Sequence, residues 1–454
     1  MSFRGLMVSV SGIRGRVGEG LTPEVVARYA AGFGAWVRTR GDNAVVVGRD
    51  SRVSGPMFHR VVLSALQSVG IDVIDIGMAP TPTIQLAVEH HHAGGGLAIT
   101  ASHNPVEWNA LKFIGPSGLF LDASDGAAMR AIADGEIPRA QWDELGAVAE
   151  DKEAIARHLN AVLSLPFIDV ERLRRRRFRV ALDCVHGAGS VIIPQLLEAL
   201  GCEMVAIGLE ADGRFPRPPE PVPENLADLE RLVRETGADL GLATDPDVDR
   251  LALVSDAGVA IGEDYTLALA AQLVLRHRAG PVVANLSTSR ILEDVAAGEG
   301  RRVIRAPVGE VNVALRMRRE GAAIGGEGNG GVILSEVHLG RDAPVGVALV
   351  LQMLLESGEP LSAVVRRYPR YSIVKDKLDR PDAPLDSVYS ALRAEFADAE
   401  QDTQDGLRLA WPDRWVHVRP SGTEPIVRII AEAPSESEAR ELVARSRVPL
   451  DALR

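Results

Sequence analysis

Cysteine and lysine are the scarce residues of this 454-residue chain, and each scarcity narrows what the protein can be. Cys184 and Cys202 are too few for a disulfide framework, and both sit in apolar sequence where a small buried thiol fits, so a reducing compartment is expected. Lysine occurs only at 112, 152, 375 and 377, with arginine used nearly everywhere else, so Lys112 stands out as a place for a compact cation rather than a planar fork. Long hydrophobic runs are missing too: stretches such as Val345 to Leu355 fall well short of the ~20 residues that span a bilayer, and the N-terminus has no apolar leader core. The expectation is a cytoplasmic protein without a membrane partner. Neither a GxxxxGK[ST] loop nor a GxGxxG fingerprint stands in strand-turn-helix context, so no nucleotide cofactor is called for. A formal charge of −12 disfavours a phosphate backbone as ligand, and nucleic acid is not an expected partner. The basic run Arg172 to Arg177 reads as a solvated edge leading into a strand at Phe178 to Leu182. His90-His91-His92 reads as a polar helix end, because consecutive positions do not converge on one ion.

What is present is a repeated α/β rhythm. Short β-rich runs at Val45 to Gly48, Asp72 to Ile76 and Gly96 to Thr100 alternate with helical patterns across Pro23 to Thr39 and Pro56 to Ser68. The alternation starts again at Arg179 and a third time around Val282, while beyond Tyr368 it gives way to a meander followed by a helix from Ser435 to Val443. The chain is too long for one core. The spacing predicts three similar α/β domains with mixed, mostly parallel sheets, over residues 1–153, 154–256 and 257–368, and a smaller C-terminal α+β domain over 369–454. Linkers are expected at the acidic stretch before Ala154, at Asp256-Ala257-Gly258 and around Arg366 to Arg370.

One unusual segment falls in each domain. Thr100-Ala101-Ser102-His103-Asn104-Pro105 sets a hydroxyl in a Pro-closed turn at the end of an apolar strand, with His103 and Lys112 close in sequence. Asp245, Asp247 and Asp249 recur at every second residue between two apolar runs; in an extended chain that spacing turns three carboxylates to one side, which suits Mg²⁺. An exposed acidic turn, or the Asp-x-Asp nucleophile of haloacid-dehalogenase-type phosphatases, would present the same spacing. No general-base triad is evident for Ser102, but a phosphorylated serine needs none: its phosphoryl group is the electrophile, and Arg14, Lys112 and Arg250 are available to its oxygens. Gly325 to Gly331 lets backbone approach a ligand closely, and Glu327 with Asn329 could take hydrogen bonds from paired sugar hydroxyls; a plain Gly-rich turn is the other reading. Arg419, Ser421, Gly422 and Thr423 offer a guanidinium fork, two hydroxyls and free amides suited to a phosphate dianion, and Arg428 adds charge nearby.

These segments, in this order and together with Ser11-Gly12-Ile13-Arg14-Gly15 and Val47-Gly48-Arg49-Asp50-Ser51-Arg52, resemble the α-D-phosphohexomutase family over nearly the whole chain. The resemblance implies four domains around a central cleft, with Ser102 as the phosphoserine and, with Asp245, Asp247 and Asp249, a Mg²⁺ ligand. It places Arg14, His103, Lys112 and Arg250 around the transferring phosphoryl, Glu327 and Asn329 on the sugar hydroxyls, and Arg419, Ser421, Gly422 and Thr423 on the resting phosphate. The implied activity is interconversion of hexose 6-phosphate and hexose 1-phosphate through a hexose 1,6-bisphosphate, by a monomer or homodimer. A Mg²⁺-dependent sugar phosphatase and a non-catalytic sugar-phosphate sensor are the alternatives. The sugar loop departs from many bacterial relatives, with Asn329 for a serine and Gly331 for a histidine, and Ser287 and Glu310 stand where some members carry a lysine and a histidine. Its Glu-x-Asn-Gly-Gly form is similar to archaeal-type phosphoglucosamine mutases, ahead of phosphomannomutase/phosphoglucomutase.

Overall fold

Six strands are buried at every position, the mark of sheets covered on both faces: Gly95–Ile99, Leu240–Thr244, Leu251–Ser255, Val282–Asn285, Ile324–Glu327 and Gly331–Leu334. They belong to three α/β units of the computed structural model, which describes residues 5–421 and 426–452. In the first unit Ala44–Arg49, Asp72–Met78, Gly95–Ile99 and Trp108–Ile114 lie in the spatial order second, first, third, fourth, with only the fourth antiparallel. The same order recurs in Arg179–Asp183, Glu203–Ile207, Leu240–Thr244 and Leu251–Ser255, and again in Val282–Asn285, Val303–Ala306, Ile324–Glu327 and Gly331–Leu334. The first sheet is extended by Met7–Val8 and Gly12–Arg16 at one edge and Val148–Glu150 at the other.

This order has a functional consequence. Because the third and fourth strands are antiparallel neighbours, a short connection joins them at the C-terminal end of the parallel strands, where α/β sheets build sites. That connection carries Ser102 in the first unit, Asp245 to Asp249 in the second, and Gly328 to Gly330 after Glu327 in the third. A further correspondence lies at the end of each first strand, where a side-chain oxygen accepts the amide two residues on: Asp50 from Arg52 (3.0 Å), Asp183 from Val185 (2.8 Å) and Asn285 from Ser287 (2.9 Å).

The units are not equally independent. One continuous apolar cluster runs from Leu159 through Leu242 and Leu269 to Val364, so the second and third units share a core, packed about helices Asp264–His277 and Ala343–Ser357. The first unit has its own core around Phe33, Phe58 and Phe113, and the fourth around Leu392, Val416 and Ile429. The fourth is a five-stranded antiparallel sheet, in the order Ser372–Asp379, Ile426–Ala433, Trp415–Pro420, Leu407–Ala410, Glu400–Asp402, covered by Leu385–Glu395 and Glu436–Ala452.

Local expectations are corrected in three places. The basic run is solvated and leads into the strand Arg179–Asp183 as expected, but it is itself the end of a helix, Val170–Arg176, whose last-turn arginines lie beside its C-terminal carbonyls, the favourable end for cations. The acidic stretch before Ala154 contributes Val148–Glu150 to the first sheet, and Asp151 there pairs with His91 at 2.8 Å and with Arg157. The C-terminal helix continues past Val443 to Ala452. Among the described residues neither cysteine is in a disulfide, and no helix is long and apolar enough to cross a membrane.

Candidate active site

Ser102 follows the buried strand Gly95–Ile99 and adopts φ +48°, a conformation a non-glycine residue holds only when its surroundings enforce it. The enforcing group is Arg52, which has no solvent exposure. Its Nη2 donates to the carbonyls of Ser102 and Asn104 (2.6 Å each), Nη1 to those of Pro105 (2.7 Å) and Trp108 (2.8 Å), and Nε to Asp50 Oδ2 (3.1 Å). All five N–H donors are used. The second unit reinforces the arrangement, with the Phe215 ring 5.0 Å from the guanidinium and Gly213 packed so closely on Ser51 that a Cβ would lie 2.4 Å from its carbonyl oxygen.

Ser102 Oγ donates to Asp245 Oδ2 at 2.8 Å, across the boundary between the first two units. Asp245, Asp247 and Asp249 are all buried and each brings an oxygen within 4.8 Å of the others, which excludes an exposed acidic turn. Strand alternation is not what converges them. The segment is a turn in which Val248 takes φ +66° and the amides of Asp249 and Arg250 donate to Asp245 Oδ1 (3.2 Å each). Lys112 is largely withdrawn from solvent: its Nζ lies 2.6 Å from Asp247 Oδ2 and 3.7 Å from Asp249 Oδ2. Thr81 Oγ1 also donates to Asp247 Oδ2, at 2.7 Å.

The electrostatics follow from crowding three carboxylates out of water. Burial, then Asp249 and Asp247, push the Asp245 carboxyl well above its usual range. Burial works the same way on Asp247, but Lys112, Asp245 and Thr81 outweigh it and hold that carboxyl far below the range. Asp247 Oδ1 and Asp249 Oδ1 are buried with no hydrogen-bond partner among the described residues. Such a donor set fits a hard divalent cation with oxygen ligands. His103 Nδ1 lies 3.4 Å from Ser102 Oγ; burial, Arg250 and Arg14 push its imidazole down to about 2, so it is neutral at pH 7.

A cleft of about 680 Å³ brings together Arg14, Ser102, His103, Lys112, Arg250, Glu327 and Asn329. Arg14 Nη1 donates to Asn104 Oδ1 (2.7 Å), and Arg250 Nη1 to Glu220 Oε1 (3.2 Å). Glu327 accepts from Asn285 (2.8 Å) and the Gly309 amide (3.0 Å) on Oε1, and from Arg341 (2.8 Å) and Asn329 (3.5 Å) on Oε2. Arg419 and Arg428 do not line this cleft. Arg419 pairs with Asp405 at 2.8 Å, and Arg428, its cross-strand neighbour, borders a separate cavity of about 690 Å³. Ser421 accepts no such place either, its amide donating to the Ile426 carbonyl (2.9 Å), and Gly422 and Thr423 lie outside the described residues. Ser287 is hydrogen-bonded to His417 (2.8 Å) and Glu310 to Arg341 (3.0 Å).

Four domain models match in succession along the sequence: phosphoglucomutase/phosphomannomutase alpha/beta/alpha domains I, II and III over residues 6–138, 156–258 and 262–371, and the C-terminal domain over 373–447. The chain belongs to the phosphoglucomutase/phosphomannomutase family. It is 39% identical to a "Probable phosphoglucosamine mutase" of Methanopyrus kandleri and 40% identical to a "Phosphoglucomutase/phosphomannomutase" of Thermococcus kodakarensis, with 96% of each chain covered in both comparisons. A crystal structure of a phosphoglucomutase/phosphomannomutase family protein from Burkholderia thailandensis superimposes with a TM-score of 0.85 at 28% identity, covering 98% of both chains.

Within this member of the family, sequence reasoning missed Arg52, Arg341 and Glu220. Arg52 stood inside a quoted motif without a role; what marks it is burial, which no sequence pattern around it reveals. Arg341-Asp342 precedes the apolar helix Ala343–Ser357, and an Asp at that position is a helix-start signal that draws attention to the neighbouring arginine.

Proposed function

We propose that the protein is a phosphohexomutase that moves a phosphoryl group reversibly between the 6- and 1-oxygens of an aldohexose phosphate, with glucosamine phosphate the preferred substrate and mannose and glucose phosphates the alternatives. The observation that carries the reading is Ser102, on the wall of the interdomain cleft, with its Oγ held 2.8 Å from Asp245 of a buried aspartate trio. In the forward half-reaction a sugar hydroxyl oxygen bonds to the phosphorus of phosphorylated Ser102, the P–Oγ bond breaks, and the hydroxyl proton is balanced by a proton gained at Oγ. The hexose 1,6-bisphosphate so formed turns over within the cleft and returns its other phosphoryl to Oγ.

The residues divide this work by their chemistry. Asp245, Asp247 and Asp249, with a phosphoryl oxygen on Ser102, would hold Mg²⁺, whose contribution when bound is to neutralise charge on the transferring oxygens. Lys112, Arg14 and Arg250 supply fixed positive charge along the same cleft. Neutral His103 excludes water from Oγ and offers a hydrogen bond without adding repulsion among the cations. Glu327 and Asn329 face the sugar, and the long Asn329 bond is the one a hydroxyl would displace. The Arg419 loop, with Ser421, Gly422, Thr423 and Arg428, would take the resting phosphate once the fourth unit moves over the cleft; that unit has its own core, which permits such motion.

The test is a coupled assay comparing glucosamine 6-phosphate, mannose 1-phosphate and glucose 1-phosphate, with inorganic phosphate measured in parallel. Isomerised product without phosphate release is expected. Stoichiometric phosphate release would instead make it a phosphatase.

A further inference from the structure

Arg341 occupies the junction between the two loops just assigned to cation and sugar. Its Nη2 lies 2.5 Å from Asp249 Oδ2, its Nη1 2.8 Å from Glu327 Oε2 and its Nε 3.0 Å from Glu310 Oε2. The guanidinium therefore bridges the second unit's aspartate turn to the third unit's glycine-rich turn, and it does so on the wall of the Ser102 cleft. Its path is set by two neighbours. Asp342, the next residue, is pinned by His158 (2.8 Å) and His338 (3.0 Å), and Gly331 leaves room for the arginine stem, since a Cβ there would lie 2.3 Å from Arg341 Cδ. Three carboxylates share one cation, so whatever draws on Asp249 changes what the other two receive.

We propose that Arg341 is a positioning residue that couples the two halves of the site: it competes with a divalent cation for Asp249 while holding Glu327 in place for the sugar. The inference rests on the phosphohexomutase reading for the identity of the two ligands, but its geometry does not. A guanidinium on Asp249 Oδ2 lowers that oxygen's availability to a metal, and the same guanidinium fixes the carboxylate that meets the sugar hydroxyls. Removing it acts on the two ligands with opposite sign. A residue that merely supported the fold would weaken both.

The experiment measures Mn²⁺ binding and glucosamine 6-phosphate binding separately by calorimetry on the full-length protein, without turnover. In Arg341→Gln, Mn²⁺ affinity is expected to rise about tenfold and sugar-phosphate affinity to fall about tenfold, the scale of one charge-assisted hydrogen bond lost or gained. Arg341→Lys keeps the charge without the fork, so Mn²⁺ affinity should stay within about threefold while the sugar phosphate still weakens. Gly331→Ala retains every charge and displaces the stem, with its Cβ also 3.1 Å from Asn329 Oδ1; the Mn²⁺ affinity, which Asn329 does not touch, should still rise by a smaller amount while the sugar phosphate weakens, and it serves if Arg341→Gln fails to fold. Parallel weakening of both ligands, or no change in either, overturns the proposal. If the wild type binds Mn²⁺ but no hexose phosphate, while Arg341→Gln still tightens Mn²⁺, the sugar assignment fails and the competition at Asp249 stands.

Discussion

Replacing Arg52 tests how much of the site depends on one buried guanidinium. Arg52→Met deletes all five hydrogen bonds, leaving the Ser102, Asn104 and Trp108 carbonyls without this donor, while Pro105 O keeps the Trp108 amide and Asp50 keeps Thr100 and the residue 52 amide. Burial pushes the Asp50 carboxyl up and the Arg52 guanidinium down, and their mutual attraction only partly offsets this, so the ion pair itself is not the main source of stability. The cost comes from the orphaned acceptors: a buried carbonyl at Ser102 and part-buried ones at Asn104 and Trp108, at the low end of ~1–3 kcal/mol each, plus a weakened Asp50 site sum to about 4 kcal/mol. At roughly 2–4 °C per kcal/mol for a unit of this size, the first melting transition should fall by about 10 °C. The turn at Ser102, no longer held at φ +48°, relaxes; a displacement of about 1 Å at the nucleophile is worth on the order of 100-fold in kcat, with KM little changed. Arg52→Lys, with three donors and no fork, should show about half the thermal shift. Scanning calorimetry and steady-state kinetics read the two effects. An Arg52→Met protein that melts within about 2 °C of wild type and turns over within twofold would refute the argument.

Ser102→Ala should lose at least ~10⁴-fold in turnover while glucosamine 6-phosphate still binds, because the hydroxyl is the group that changes partners and not the group that holds the sugar; intact-mass analysis after incubation with a hexose bisphosphate should show one added phosphoryl on wild type and none on the variant. Chelation should lower the melting temperature and Mg²⁺ restore it, by about 2.7 kcal/mol at a hundredfold excess over its Kd, and Asp249→Asn should abolish that response. For Asp342, burial raises the carboxyl but His158 and His338 outweigh it and hold it below the ordinary range. A depressed folded value means stability fully present above the unfolded value of about 3.9 and lost as pH falls through the folded one, so the melting-temperature gap between wild type and Asp342→Asn should be wide at pH 6 and narrow progressively as pH falls below about 4.

Much of the fold was legible because periodicity survives translation into structure. The helix across Pro23 to Thr39 and the strand runs near Val45, Asp72 and Gly96 appear where apolar spacing put them. The basic run was legible as solvated but not as helical, because charge alone carries no period; the Asp169 cap, whose side chain accepts from the Arg172 amide, decides it. The aspartate trio was legible as a cluster but not as a turn, since Val248 at φ +66° is a conformation that tertiary packing imposes on a β-branched residue.

What the sequence determined by itself is the set of reactive groups and their local settings: a serine after a buried strand, three spaced carboxylates, a glycine-rich turn and a lone lysine, each readable within ten residues of chain. What only the tertiary structure decided is which of these meet. Ser102 and Asp245 are separated by 143 residues and joined by a 2.8 Å hydrogen bond, and Arg341 reaches Asp249 across 92. Arg419 and Arg428 carry equally suggestive sequence and stay outside the cleft. The physical reason is that convergence depends on how three sheets of one strand order pack together, two of them over a shared core, and that packing is a property of long-range contacts which no local pattern encodes.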